Sequence, residues 1–223
     1  MTDVIQSLDA AFGRDVKHIN NIAHNVANIN TPGFQHRVSF DAFQPDQTDS
    51  QYAEVVSNLL GGIRQTHRSL DIAILDEGYF LLERNGQQFL SKDGRLHLDP
   101  QGYLSNASGA RVVTDQGLLR TDAANLTVRP SGEIVIDGKV SATLRIVNGE
   151  RLQLADSGLL LSSNIYEVKN IRLQNSALNV STVNPTSETV RMMEVSRHLQ
   201  SVQKAAAAYD QMLQNGINEI GKK

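Results

Sequence analysis

NIAHNVANINTPGF, residues 21–34, closes what the apolar spacing predicts to be an amphipathic N-terminal helix. With Asn20 just before it, the stretch carries five asparagines (Asn20, Asn21, Asn25, Asn28, Asn30) and stops at Thr31-Pro32-Gly33. Asparagine side chains compete with the helical backbone for hydrogen bonds, so such a run weakens a helix unless another surface occupies the amides. The expected partner lies on another chain or at the far end of this one. Taken alone, the stretch also fits an ordinary capped helix followed by a Pro-Gly turn.

Working back toward the N-terminus, apolar residues fall on a seven-residue repeat from Val4 to Asn28. Ile5, Phe12, Ile19 and Val26 occupy one position and Leu8 and Ile22 the other, with Asp15 the one interruption. Val16 and Ala23 widen the stripe on one side. A seam this narrow needs a partner helix to bury it. Gly13 weakens the middle by about 1 kcal/mol relative to alanine, so packing rather than propensity must hold the helix.

A second seam runs through the C-terminal segment. Asn184-Pro185 is a helix start with proline at the first helical position and Glu188 in the first turn. Met192, Leu199, Ala206, Leu213 and Ile220 then share one heptad position, and Val195, Val202, Tyr209 and Gly216 the other. A helix from Pro185 to about Gly221 would be roughly 55 Å long at 1.5 Å per residue.

Between the seams the period changes. Residues 35–62 form a polar connector, with QPDQTDSQ (44–51) at its centre; Arg37, Phe40 and Phe43 are expected to anchor its start, and a short helix is compatible with 52–60. From Ile63 the pattern is strand-like, with turn residues recurring every eight to twelve positions. SLDIAIL (69–75), YFLLER (79–84) and residues 88–91 are expected strands, with Asn85-Gly86 as a tight hairpin turn. Asp93-Gly94 is expected to close a hairpin between FLSK and RLHL, Asp99-Pro100-Gln101-Gly102 to turn into YLSN, and Ser108-Gly109 into ARVV, giving an antiparallel meander. LTVRP, EIVID, KVSATLRIVN, RLQLAD, LLLSS and a last strand within VKNIRLQNSAL continue it. In VSATLRIV apolar and polar residues alternate, so one face is expected to be buried and one wet.

Composition bounds the function. The 223 residues, 40% apolar, suffice for one ordinary domain with extensions or two small ones. Net charge is −3 and the 21 basic residues are scattered, so the electrostatic footprint of a nucleic-acid binder is missing. There is no cysteine, hence no disulfide and no thiolate metal site. The N-terminus has neither a basic n-region nor a continuous apolar run, and no window approaches eighteen apolar residues, so neither a conventional secretory signal nor a transmembrane helix is expected. Taken at face value this points to the cytoplasm.

With Asn21, Ala23, Asn25, Ala27, Asn28, Thr31, Gly33 and Phe34 in place, residues 21–34 resemble the N-terminal signature of the flagellar basal-body rod and hook axial proteins, at eight positions in fourteen. Residues 68–113 resemble the core of that family's β-domain at Leu70, Asp71, Ala73, Ile74, Gly78, Phe80, Asp93, Gly94, Asp99, Gly102 and Leu104. Hairpin turns alone account for glycine and aspartate there, so the likeness identifies a module and adds no chemistry. LNVSTVNPTSETVRMMEVSRHL (178–199) is similar to the C-terminal signature at Leu178, Ser181, Val183, Asn184, Glu188, Met192 and Arg197. It departs at Ser196, where glutamine is usual, and at Leu199, where an aromatic is usual; both departures are closer to the family's proximal rod members than to distal rod or hook members.

The resemblance implies an α+β fold in which the N- and C-terminal helices pair as a coiled-coil-like core beside a central antiparallel all-β domain. The expected division is 1–34 with 178–223 as the helical axial core, 35–62 as connector and 63–177 as β-domain. It implies a structural subunit of the bacterial flagellar rod that polymerises head to tail into the tubular drive shaft passing torque from the motor ring to the hook. The partners implied are copies of itself, other rod proteins, hook–basal-body neighbours and the export apparatus, through which the chain leaves without a cleaved signal for the periplasmic rod. No cofactor, catalytic residue, metal ligand, nucleic acid or small-molecule substrate is expected. The assembly residues expected from the first helix and signature are Ile5, Leu8, Phe12, Ile19, Asn21, Ile22, Asn25, Val26, Asn28, Thr31, Gly33 and Phe34. Those from the last helix are Asn184, Met192, Val195, Leu199, Val202, Ala206, Tyr209, Leu213 and Ile220.

A distal rod subunit is the nearest alternative, and hook subunits carry larger β-domains. A cell-wall hydrolase would use Asp93 with Asp99, or Asp71 with Glu77, but these acids sit in turns without the apolar setting that raises a carboxyl pKa. Of six histidines, His18 and His24 are the close pair and, six apart on a helix, face different directions. A coiled-coil adhesin would need a secretion signal.

Overall fold

The computed structural model describes residues 2–42, 51–56, 61–123, 125–155, 158–169 and 171–220. It is an α+β protein of two long helices and antiparallel sheets. The chain divides into two compact units. One comprises Met1–Ala27, Ser39–Ala53 and Asn184–Lys223; the other comprises Asn28–Val38 and Glu54–Val183.

In the first unit, α1 spans Thr2–Ala27 and α2 spans Pro185–Ile220, 26 and 36 residues. The start of α2 follows the chemistry of its first residues. Asn184 Oδ1 accepts the amides of Thr186 at 3.0 Å and Ser187 at 3.3 Å, which satisfies donors that have no partner within the helix, and proline takes the first helical position.

The second unit is built around the strand Tyr79–Arg84. Its first four residues are buried on both faces: Phe80 and Leu82 point into the larger apolar cluster, Tyr79 and Leu81 into a smaller one with Leu90, Val113, Val147 and Leu160. A strand apolar on both faces belongs inside a sheet. Gln87–Ser91 pairs along one side through the Asn85-Gly86 turn, with φ of 55° and 78° at the two turn residues as a primed hairpin turn requires. Arg111–Thr114 and Ile146–Glu150 pair along its other side.

The local hairpins expected at Asp99–Gly102 and Ser108–Gly109 are present, pairing His97–Leu98 with Leu104–Ser105 and Ser105 with Arg111. The simple meander is not. Leu160–Leu161 returns to pair with Leu90, Leu173–Asn175 pairs with Ile72–Ile74, and Ala177–Asn179 pairs with Ile63–Gln65, so late strands cover early edges. The single last strand is two, separated at Ser176 by a positive φ of 52°.

Asp93-Gly94 also departs from expectation and is not a hairpin turn. The Asp93 carboxylate is taken by Arg95, with Nη2 to Oδ2 at 2.7 Å, and the Ile72 amide donates to the Gly94 carbonyl at 3.0 Å. The pair therefore carries the chain across the Ile72–Ile74 strand instead of folding it back on Gln87–Ser91. KVSATLRIVN is likewise two strands. Lys139–Thr143 stays in a three-stranded sheet with Leu126–Val128 and Glu133–Ile136, while Ile146–Glu150 crosses to the main sheet. The alternation persists through the break, with Ala142, Leu144 and Ile146 buried.

In the connector, Arg37–Ala42 and Gln51–Val56 form a two-stranded sheet, so the short helix over 52–60 is corrected to a strand as far as Val56. Residues 44–50 of the polar run, Phe43, and 57–60 lie outside the described residues.

Lys92 is an exception to polar-out patterning. It is buried, with its ammonium 5.0 Å from the Tyr79 ring centroid, and burial pushes its pKa down to about 8 against the opposing pull of Glu77. Below that pH the lysine is charged in both folded and unfolded chains and the burial penalty is felt in full. Between about 8 and the usual 10.5 the unfolded chain binds the extra proton, so stability rises with pH. The shift corresponds to roughly 3 kcal/mol. Lys92→Met is expected to stabilise this unit at neutral pH by about 1–3 kcal/mol and to flatten the rise between about pH 8 and about pH 10.5, measured by urea denaturation.

Candidate assembly surface

Within the helical unit, two side-chain contacts fix how the helices meet. His198 Nδ1 lies 2.7 Å from Asp15 Oδ2, and Asn25 Nδ2 donates to Glu188 Oε2 at 3.0 Å. Ten residues forward along α1 correspond to ten residues back along α2, so the helices run antiparallel. Glu188 is 0% exposed and also meets Arg191 Nη1 at 3.2 Å. The amide of Asn25, 1% exposed, thus finds its partner at the far end of the same chain.

Seven of the residues expected on α2, Met192, Val195, Leu199, Val202, Ala206, Tyr209 and Leu213, are half-buried, as a single contacting stripe requires. Asn184 is exposed and caps the helix. Ile220 ends α2, and its side chain lies outside the described residues.

On α1 the contacting face is rotated from the expected seam. Leu8, Ile19 and Ile22 lie on or beside it, as do Asn21 and Asn25. Asp15, taken from sequence as an interruption, is buried in it. Ile5 at 54%, Phe12 at 41% and Val26 at 45% are exposed, with Val4 and Val16 beside them. At 100° per residue Ile5 and Phe12 sit about 60°, a sixth of a turn, around the helix from Leu8 and Asp15. Spacing alone missed the reason: the buried Asp15 meets an exposed His198, and a buried Asn25–Glu188 pair joins it, drawing the polar side of α1 inward. From sequence Asp15 reads as an interruption of the seam and Glu188 as a first-turn acid, and nothing local to either names its partner on the other helix.

Near the start of α1, Ile5, Leu8 and Phe12 face Val202, Ala206 and Tyr209 of α2 across an open cleft of about 430 Å³. Asp9 and Asp210 stand at its edge.

The end of the asparagine stretch belongs to the β-unit and is turned inward. Asn28 Oδ1 accepts from Thr31 Oγ1 at 3.1 Å, and both residues are half-buried. Gly33 has φ +69° and donates its amide to the Asn179 carbonyl at 2.8 Å; Phe34, 3% exposed, accepts from the Thr182 amide at 3.0 Å. Asn179 is itself buried and clamps Ile74, receiving its amide at 2.9 Å and donating to its carbonyl at 2.8 Å. Gly33 and Phe34 are thus internal packing residues, which their place in an assembly signature did not foretell.

The carboxylates of the rival enzymatic reading are engaged in structure. Asp99 accepts the amides of Gln101 and Tyr103 and pairs with Arg111 at 3.2 Å; burial pushes its pKa up, but these bonds outweigh it and hold the carboxyl below the usual range. Asp93 is held by Arg95, Asp71 is buried 3.5 Å from Arg68, and Glu77 is exposed. Among the described residues no cluster of three or more His, Cys, Asp or Glu is placed to hold a metal ion, and no helix is long and apolar enough to cross a membrane.

The helical unit thus carries an uncovered apolar row, and in the β-unit Asp71, Asp93 and Asp99 are each paired with an arginine. Residues 174–219 match the family model described as flagellar basal body rod FlgEFG protein C-terminal. The chain is 26% identical to the flagellar basal-body rod protein FlgF of Caulobacter vibrioides, over 90% of this chain and 91% of the relative. It is 26% identical to FlgF of Buchnera aphidicola subsp. Schizaphis graminum, over 85% and 86%, and 25% identical to the rod protein FlgG of Bacillus subtilis, over 88% and 91%. These likenesses support the flagellar basal-body rod family, of the proximal rod type, and the role of a structural rod subunit.

Proposed function

We propose that this subunit polymerises head to tail with copies of itself and other rod proteins into the tubular shaft that passes torque from the motor ring to the hook. The observation that carries this reading is the apolar row Ile5, Phe12, Val16 and Val26, left exposed beside the contact between α1 and α2. A two-helix pair with such a row uncovered is marginal in water and gains by burying it against neighbours. Non-closing contacts of that kind generate helical filaments. On this reading the terminal helices form a coiled-coil-like axial core that orders fully on assembly, 63–177 forms an outer sleeve, and 35–62 connects them. The residues expected to assemble are then those of the two helices, with Gly33 and Phe34 serving the sleeve.

The same reading makes the protein non-enzymatic. It places the protein in the periplasmic part of the basal body, delivered unfolded by the flagellar export apparatus, for which a chain without disulfides is suited. Neither nucleic acid nor small-molecule substrate enters.

The test is association of the full chain by sedimentation velocity, alone and with its rod relatives. Ile5→Ser combined with Phe12→Ser is expected to weaken association at least tenfold while leaving the β-sheet circular dichroism intact. Removal of 1–27 and 184–223 should leave a folded β-unit that no longer associates. Unfolding of 63–177 in that truncation, or undiminished association of the double variant, would overturn the division into core and sleeve.

A further inference from the structure

We infer that the cleft near the start of α1 receives residues 217–223 of a second copy of this chain, the tip of α2 and the three residues after it. This deepens the assembly reading above and rests on it. The cleft asks for a particular occupant. Its walls, Ile5, Leu8 and Phe12 against Val202, Ala206 and Tyr209, are apolar, and its edge carries two carboxylates, Asp9 and Asp210, with no base among the lining residues. A complementary segment must offer apolar side chains followed closely by positive charge.

Residues 217–223 are such a segment. Lys222-Lys223 is the only adjacent pair of Lys or Arg among the 21 basic residues, and it follows Ile217 and Ile220, three apart on one helical face. The same copy cannot supply it. Ile217 lies seven residues beyond Asp210 on the one continuous helix, roughly 10 Å further along the axis, and points of one helix cannot fold onto each other. The occupant is therefore another molecule, and a cleft on one part of the surface filled by a tip from another part gives a heterologous contact that propagates instead of closing. The lysines on Asp9 and Asp210 set direction and register, and the isoleucines on Phe12 and Tyr209 supply the burial.

The chain has no cysteine, which makes the test clean. Ala206→Cys and Ile220→Cys chains, mixed and oxidised under assembling conditions, are expected to give a disulfide-linked heterodimer; Val190→Cys mixed with Ile220→Cys is expected to give none. Lys222→Glu with Lys223→Glu should weaken association of the full chain about tenfold at low salt, and Asp9→Lys with Asp210→Lys should do the same. Mixing the two charge-reversed chains should recover association at their now complementary junctions. Equal cross-linking at both positions, or no recovery on mixing, overturns the docking of the tip. If association survives every charge change but is lost in the Ile5→Ser, Phe12→Ser chain, the docking falls while the rod-subunit reading stands; if wild-type chains fail to associate even with their rod relatives, the reading beneath it falls.

Discussion

Gly94→Ala is expected to destabilise the β-unit by about 3–5 kcal/mol, enough to leave much of it unfolded at physiological temperature. A Cβ at this position would stand 1.8 Å from the Ile72 carbonyl oxygen and 2.8 Å from its carbon. Both belong to the backbone of a fully buried strand, so no side-chain rotation can relieve the overlap. Separating the segments would break the hydrogen bond from the Ile72 amide to the Gly94 carbonyl and open the larger apolar cluster around Ile72 and Phe80. Equilibrium urea denaturation followed by far-UV circular dichroism measures the loss. A midpoint unchanged within error would mean that the backbones do not approach so closely.

Gly33→Ala is the second large effect, at about 2–4 kcal/mol, and it separates two roles that a sequence motif cannot. The added Cβ would meet the Lys92 carbonyl carbon at 2.2 Å and the Asp93 amide nitrogen at 2.4 Å, in a backbone conformation, φ +69°, that disfavours any side chain. The segment 28–38 would have to lift away, breaking the bonds from Gly33 to Asn179 and from Thr182 to Phe34. Hydrogen exchange should report lost protection at the Gly33 and Thr182 amides, with the Tyr79–Arg84 hairpin unaffected. Retained protection at both amides would show that Gly33 serves some other purpose.

Much of the architecture is legible in the chain itself. The two helices stand out because heptad spacing persists over many turns, and the start of the second follows from Asn184-Pro185. The hairpin at Asn85-Gly86 follows from residues that alone tolerate its dihedrals. Non-local pairing is what local chemistry cannot supply. Nothing within LLLSS says that Leu160 will lie beside Leu90, and nothing in Asp93-Gly94 distinguishes a hairpin turn from a crossing strand until the Ile72 backbone is in place. The contact between α1 and α2 was half legible. The stripe on α2 follows its spacing, but on α1 the contacts of Asp15 with His198 and of Asn25 with Glu188 rotate the face, because a carboxylate with a partner can enter an interface that an unpaired one cannot.

That rotation bears on mechanical load. If α1 slid along α2 by one turn, about 5.4 Å, Asp15 would face Glu194 or Val202 instead of His198, meeting either like charge or hydrocarbon. An all-aliphatic seam would have near-equivalent resting positions at each heptad. This one has a single detent, so twist applied at one end of the pair is resisted as stiffness and not dissipated as creep.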